Sequence, residues 1–381
     1  MKPVRVLILI DRLGRGGIAQ VALNTALTLD HTRFDPVIVT TRDKPRHGQD
    51  EILRKAGITL IELNRQSRRQ VLSWKPLLRL LPEVDILHTH SSGSNFWGRL
   101  WGTLYRVPVI ITQEHAAVTE KPRFVQWLDR RLAPFSAKII TVSEYDRQEY
   151  IRWEKLPPDK VETVYVGIDT TKFAPVLSQA EARWQIGCPA DKYMVGIIGR
   201  LAAQKNHKSF LQALTLLPPD LRAEIHCLLV GSGDLEAELR WQVQALGLQD
   251  QVVFLGERTD VPVILRALDL FVLPSHWECL PSVLSEAMAS RCPVVATAVG
   301  GVPEIIGNTG WPLVESGDPA ALAQAITEAL QMPPAKRDHM TEISRQRIIN
   351  QFGKERSTAE IEALYESLLA RLPQQKLDTA V

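Results

Sequence analysis

The sequence predicts an α/β protein built from two parallel-sheet domains. Short apolar runs rich in β-branched residues recur along the chain and alternate with longer amphipathic segments, as strands joined by crossover helices do. At 381 residues the chain is long enough for two ordinary cores. The rhythm lapses over residues 170–190, where Pro175, Gly187 and Pro189 mark a linker, and a fresh strand then starts at Tyr193.

Val4–Ile10 reads as a buried first strand. Gly14-Arg15-Gly16-Gly17 follows and opens a helix over Ile18–Leu29. Glycines between a first strand and its helix let backbone approach a phosphate closely. The G-x-G-G spacing is not the dinucleotide fingerprint G-x-G-x-x-G. Further strands are expected at Pro36–Thr40, Ile58–Leu63, Val84–His88, Val107–Thr112, Lys138–Val142 and Val161–Val166. Functional loops of such sheets lie beyond the carboxyl ends of strands. That rule draws attention to His90 with Ser91, Ser92 and Asn95, and to Glu114-His115. His88 and His90 share a strand face, but no third ligand accompanies them, so no metal site is expected.

In the second half, Tyr193–Ile198 runs into Gly199-Arg200-Leu201-Ala202-Ala203-Gln204-Lys205-Asn206. Strands are expected at Ile225–Val230, Val252–Leu255, Leu270–Leu273 and Val294–Ala296, then three helices over Pro319–Leu330, Ala335–Gln351 and Glu355–Ala370. The most informative stretch is Pro274-Ser275-His276-Trp277-Glu278-Cys279-Leu280-Pro281-Ser282, continuing through Glu286-Ala287-Met288-Ala289. Pro281 suits a first helical position. Glu278 then sits in the strand-to-helix loop and Glu286 inside the helix. Free amides at a helix start form an anion site, and carboxylates accept hydrogen bonds from hydroxyls. Phosphate donors and two carboxylates on one loop suit a nucleotide sugar.

Composition excludes other classes. Basic and acidic residues balance at 45 and 43, which gives no signal for nucleic acid. Residues 1–170 carry 26 Lys and Arg against 19 Asp and Glu, and this basic half fits an acidic acceptor or an anionic membrane surface. The four cysteines lack C-x-x-C spacing and read as free thiols of a reducing compartment. The first apolar run is too short to span a membrane and no cleavage signal follows it, so a cytoplasmic protein is expected.

The stretch from Pro274 to Ala289 resembles the E-x7-E signature of the retaining glycosyltransferases of family 4, which have the two-domain GT-B fold. Many members carry glycines between the two acids, where this chain has Cys279-Leu280-Pro281-Ser282. Other segments match in family order: the G-x-G-G loop, His115 in T-x-x-H, Arg200 and Lys205 after G-R-L, and Gly300-Gly301-Val302-Pro303-Glu304 as G-G-x-x-E. Val166-Gly167-Ile168-Asp169 resembles the N-G-V-D crossover, with Val166 where Asn is usual.

The resemblance implies two Rossmann-like parallel-sheet domains facing across a cleft. Residues 1–170 would form the acceptor-side domain and 171–353 the nucleotide-sugar domain. The last helix, within 354–381, would return to the first. It implies transfer of a hexose from a UDP- or GDP-sugar to a glycan or glycolipid hydroxyl with retained configuration. Gly16 and Gly17 would face the donor diphosphate, and Arg200 and Lys205 would neutralise it. Leu280, Pro281 and Ser282 would present the helix-start amides. Glu286 would hold the ribose, while Glu278 and His115 would contact the transferred sugar as the catalytic pair. No D-x-D occurs in the sequence, and the two cations take the place of a bridging metal, so neither a metal nor another cofactor is expected. A GT-B nucleotide-sugar isomerase and a non-catalytic nucleotide-sugar-binding protein are the alternatives. Two basic-aromatic segments, residues 65–81 with Trp74 and 121–131 with Phe124 and Trp127, fit peripheral binding at the inner face of a membrane.

Overall fold

The computed structural model describes residues 2–14, 16–42, 48–67 and 70–372. The chain divides into two compact units, one formed by residues 1–168 and 354–381 and the other by 169–353. Each holds one sheet whose strand pairs are all parallel.

The first sheet comprises β1 (Val4–Ile10), β2 (Phe34–Thr40), β3 (Thr59–Glu62), β4 (Ile86–His90), β5 (Val109–Gln113), β6 (Lys138–Thr141) and β7 (Val161–Thr163), in the order β3-β2-β1-β4-β5-β6-β7. The order reverses between β1 and β4. Beyond the carboxyl ends at such a switch point, the flanking loops diverge and leave room for a ligand. β4 runs two residues past the expected His88, so His90 is its last residue rather than the start of a loop.

The second sheet comprises β8 (Tyr193–Ile198), β9 (Ile225–Val230), β10 (Val252–Gly256), β11 (Leu270–Leu273), β12 (Val294–Thr297) and β13 (Leu313–Val314), in the order β10-β9-β8-β11-β12-β13. Its switch point falls between β8 and β11. The loops beginning at Gly199 and Pro274 therefore leave from adjacent strand ends.

The C-terminal helix Lys354–Leu369 belongs to the first unit. The Lys354 N–H donates to the Ile168 carbonyl at 2.9 Å. Ile361, Leu364, Tyr365 and Leu368 are buried in one core with Ala19, Ala22, Leu23 and Ala26 of the Gly17–Thr28 helix. Fully burying such an aliphatic side chain contributes roughly 1.5–3 kcal/mol, so this helix holds the first core closed. All four cysteines are free.

Candidate active site

In the second unit, the loops after β8 and β11 are joined by hydrogen bonds and one ion pair. Lys205 lies on a single helical turn, Ala203–Lys205, and its Nζ is 2.5 Å from Glu278 Oε1. Ser275 Oγ donates to the same oxygen at 2.7 Å. Gln204 Nε2 donates to the Trp277 carbonyl at 3.1 Å, and the Gln204 backbone carbonyl accepts from the His276 N–H at 2.8 Å. Glu278 is thereby buried as a fixed carboxylate. Arg200, the other expected cation, is exposed and has no side-chain partner among the described residues.

The helix that follows spans Ser282–Ala289, with Pro281 as its N-cap and no side-chain cap. Pro281 was expected as the first helical residue. Its ψ of 105° is extended, so it stands one position outside, and the first-turn amides begin at Ser282. Leu280 and Pro281 are buried, which fixes the chain's entry into the helix. Glu286 is half-buried one turn further on. Burial raises its carboxyl to about 7, with Lys172 opposing the shift. It has no side-chain partner among the described residues.

The Gly300-Gly301 turn after β12 explains how this loop keeps its shape without glycines of its own. Gly300 has φ +53°, and a Cβ there would run into the Glu278 carbonyl. The Gly301 N–H donates to the Cys279 carbonyl at 2.8 Å. The turn is therefore a backbone seat for Glu278-Cys279. The G-G-x-x-E match in the sequence does not show this role, because nothing local tells what lies against the turn.

In the first unit, Gly16 is the N-cap of the Gly17–Thr28 helix. Its φ of −74° suits any residue, and a Cβ on Gly16 or Gly17 would meet nothing within 4 Å. Neither packing nor backbone conformation calls for glycine here. Arg15 lies outside the described residues.

His115 is half-buried just beyond β5, and its Nε2 lies 3.1 Å from His90 Nδ1. The His88 and His90 rings stack with centroids 4.4 Å apart. His88 Nδ1 meets Tyr365 Oη of the C-terminal helix at 2.6 Å. Burial lowers His115 to about 4 and His88 to about 3, and holds His90 well below its ordinary value. Three imidazoles thus lie together where the sequence offered only an H-x-H pair. Among the described residues no cluster has the arrangement of a metal site.

Beneath His115 lies a buried charge cluster that sequence reasoning missed. Lys121 Nζ reaches Asp129 Oδ2 at 2.7 Å, Glu114 Oε2 at 3.1 Å and Glu154 Oε1 at 3.6 Å. Arg99 Nη2 holds the other Asp129 oxygen at 2.7 Å, and Asn95 Nδ2 donates to Glu114 Oε1 at 2.9 Å. Burial favours the neutral Glu114, but Lys121 and Arg99 prevail and lower its pKa. Burial wins at Glu154, raising it to about 7. Breaking a buried ion pair is strongly destabilising, so this cluster pins the Glu114–Lys121 loop.

The expected membrane segments separate. Trp74 is buried, with the Arg65 guanidinium 4.1 Å from its ring centroid, so the aromatic of residues 65–81 belongs to the core. Arg68 and Arg69 lie outside the described residues. Lys121 is also buried. Phe124 and Trp127 of the Arg123–Leu132 helix, however, are 68% and 51% exposed, with ring centroids 6.0 Å apart and Arg131 over Trp127. Among the described residues no helix is long and apolar enough to cross a membrane.

Two parallel-sheet units of this topology define a GT-B fold, and the comparisons agree. The UDP- and glucose-bound structure of Anabaena Alr3699/HepE superposes with a TM-score of 0.85 over 96% of this chain and 100% of that one, at 20% identity. The WaaG glycosyltransferase of lipopolysaccharide biosynthesis gives 0.72 over 96% and 99%, at 18% identity. The model "Glycosyltransferase Family 4" matches residues 15–172, and "Glycosyl transferases group 1" matches 178–347. The lipopolysaccharide core biosynthesis mannosyltransferase LpcC of Rhizobium leguminosarum bv. viciae is 30% identical over 79% of this chain and 83% of its own length. An Escherichia coli UDP-Gal:alpha-D-GlcNAc-diphosphoundecaprenol alpha-1,3-galactosyltransferase is 26% identical over 92% and 93%. The chain belongs to the GT-B, family 4-type glycosyltransferases, and it is a sugar-transferring enzyme.

Proposed function

We propose that this enzyme transfers a hexose from a nucleotide sugar to a hydroxyl of a lipid-linked or lipopolysaccharide-type acceptor, with retained anomeric configuration and without a metal. The observation that carries the reading is Glu286. A half-buried carboxylate with no side-chain partner among the described residues, one turn behind uncapped helix-start amides, suits a ribose diol whose diphosphate lies on those amides. Arg200 and Lys205 add positive charge at the strand end beside them, stabilising the leaving diphosphate as the glycosidic bond breaks. Gly16 and Gly17, at the start of their helix, offer further amides. Glu278, fixed by Lys205 and Ser275, and His115 are the proposed contacts to the transferred sugar. The acceptor class rests on the two relatives, whose names place them in lipid-linked and lipopolysaccharide assembly.

Thermal unfolding against a panel of UDP-, GDP- and ADP-sugars tests the reading, because a true donor raises Tm by mass action. No stabilisation by any nucleotide sugar would contradict it. Turnover is expected to survive EDTA, since Arg200 and the helix-start amides are proposed to stabilise the diphosphate in place of a metal, with Lys205 beside them. Loss of turnover in chelator that Mg²⁺ or Mn²⁺ restores would show instead that a metal is required.

The exposed Phe124 and Trp127, with Arg123 and Arg131 on the same helix, support peripheral binding to an anionic membrane. Aromatic rings sit at the headgroup level, and each nearby cation adds about 1 kcal/mol. Sedimentation with anionic vesicles at low salt should carry the protein down. The double variant Phe124→Ser/Trp127→Ser should leave most of it in the supernatant, and equal binding by both proteins would rule this helix out.

A further inference from the structure

We infer that His90 is the positioning residue for His115: it holds the imidazole in the Nδ1–H tautomer and so makes the ring a hydrogen-bond donor toward whatever lies before it. The role of His115 as the sugar contact rests on the proposed function; its orientation by His90 does not.

The geometry fixes the pair. His90 Nδ1 and His115 Nε2 are 3.1 Å apart, so one nitrogen donates and the other accepts. His90 Nε2 is buried and has no partner among the described residues. An orphaned N–H is rarer and costlier inside a protein than an unused lone pair. The proton of His90 therefore belongs on Nδ1, where it is donated, rather than on Nε2, where it would be stranded. His115 Nε2 must then accept, and its own proton lies on Nδ1. Because burial keeps both rings neutral at physiological pH, no second proton blurs this assignment.

The rest of the column holds His90 in place. Its ring stacks on His88 at 4.4 Å and lies edge to edge with His115, with centroids 5.4 Å apart. His88 is in turn bonded to Tyr365, which the C-terminal helix delivers to the middle of the first core. A hydrogen bond from a second residue commonly fixes a histidine's tautomer at functional sites. Here the second residue is itself a histidine, on the neighbouring strand.

Long-range ¹H–¹⁵N correlation spectra of full-length protein labelled with ¹⁵N-histidine test this without substrate, with His115 assigned by its loss in His115→Gln. The wild type should show His115 as the Nδ1–H tautomer. His90→Phe keeps a stacking ring but removes the donor, and should shift His115 to a mixture of tautomers and lower kcat at least about tenfold. His90→Asn, whose amide can place an N–H near the Nδ1 position, should restore both. An Nε2–H His115 in the wild type, or one unmoved in a folded His90→Phe, overturns the inference. The wild-type spectrum alone decides if that variant fails to fold. A tautomer that shifts while turnover does not would uphold the positioning and remove His115 from the proposed sugar site.

Discussion

Replacing Arg200 or Glu286 with alanine is expected to weaken nucleotide-sugar binding at least about tenfold and to leave the fold intact. Arg200 is exposed and bonded to no described side chain, so its removal strands nothing. Glu286 has no side-chain partner among the described residues to orphan either, and its loss relieves the cost of burying a carboxyl. Both side chains are thus cheap to remove from the protein and costly to remove from a bound ligand. Hydrogen bonds to charged groups contribute about 1.5–3 kcal/mol, which is a factor of ten or more in affinity. Glu286 adds a pH signature. With its carboxyl raised to about 7, the free enzyme is protonated there below that pH. A ribose diol is best held by the carboxylate, so affinity for a nucleotide sugar should rise through about pH 6–8 and level off above that. In Glu286→Ala that rise should vanish. Calorimetric binding that is unchanged in both variants would place the donor elsewhere.

Gly300→Ala is expected to lower turnover about a hundredfold although residue 300 touches no proposed ligand. At φ +53° alanine costs on the order of 1 kcal/mol, a modest loss of stability. The larger effect is displacement. The new methyl meets the Glu278 carbonyl, a backbone atom that cannot swing aside, so the loop must move and carry the Glu278 carboxylate with it. Misplacement of about 1 Å at a reacting centre can cost 10²-fold. Melting curves separate the two effects: a Tm a few degrees lower with turnover nearly abolished is the expected result. Wild-type turnover in Gly300→Ala would show that the seat does not set the position of Glu278.

What the sequence made legible was local. Hydrophobic periodicity located the strands of the first sheet and all but the two-residue β13 of the second, and the stretch from Leu270 to Ala289 showed its strand, loop and helix, because each signal is complete within about twenty residues. What it hid was non-local. Lys205 and Glu278 are 73 residues apart, and only the adjacency of β8 and β11 brings them together. Lys121 looks like one more cation in a basic run, yet three carboxylates from separate elements bury it. Trp74 and Trp127 each sit among basic residues. One is enclosed by Arg65, Trp97 and Trp101, and the other faces solvent, a difference no local pattern carries. The sequence drew attention to His90 but gave it no role, because its partners, His115 and the His88–Tyr365 pair behind it, converge from other parts of the chain.

The measurement closest to the central claim is product analysis with a stabilising nucleotide sugar, with and without a polyprenyl diphosphate-linked sugar acceptor. The account predicts release of the nucleoside diphosphate that depends on the acceptor. It also predicts a lengthened lipid-linked glycan whose new linkage keeps the donor's anomeric configuration. An altered donor sugar formed without acceptor would make the protein an isomerase, and an inverted linkage would exclude the proposed chemistry.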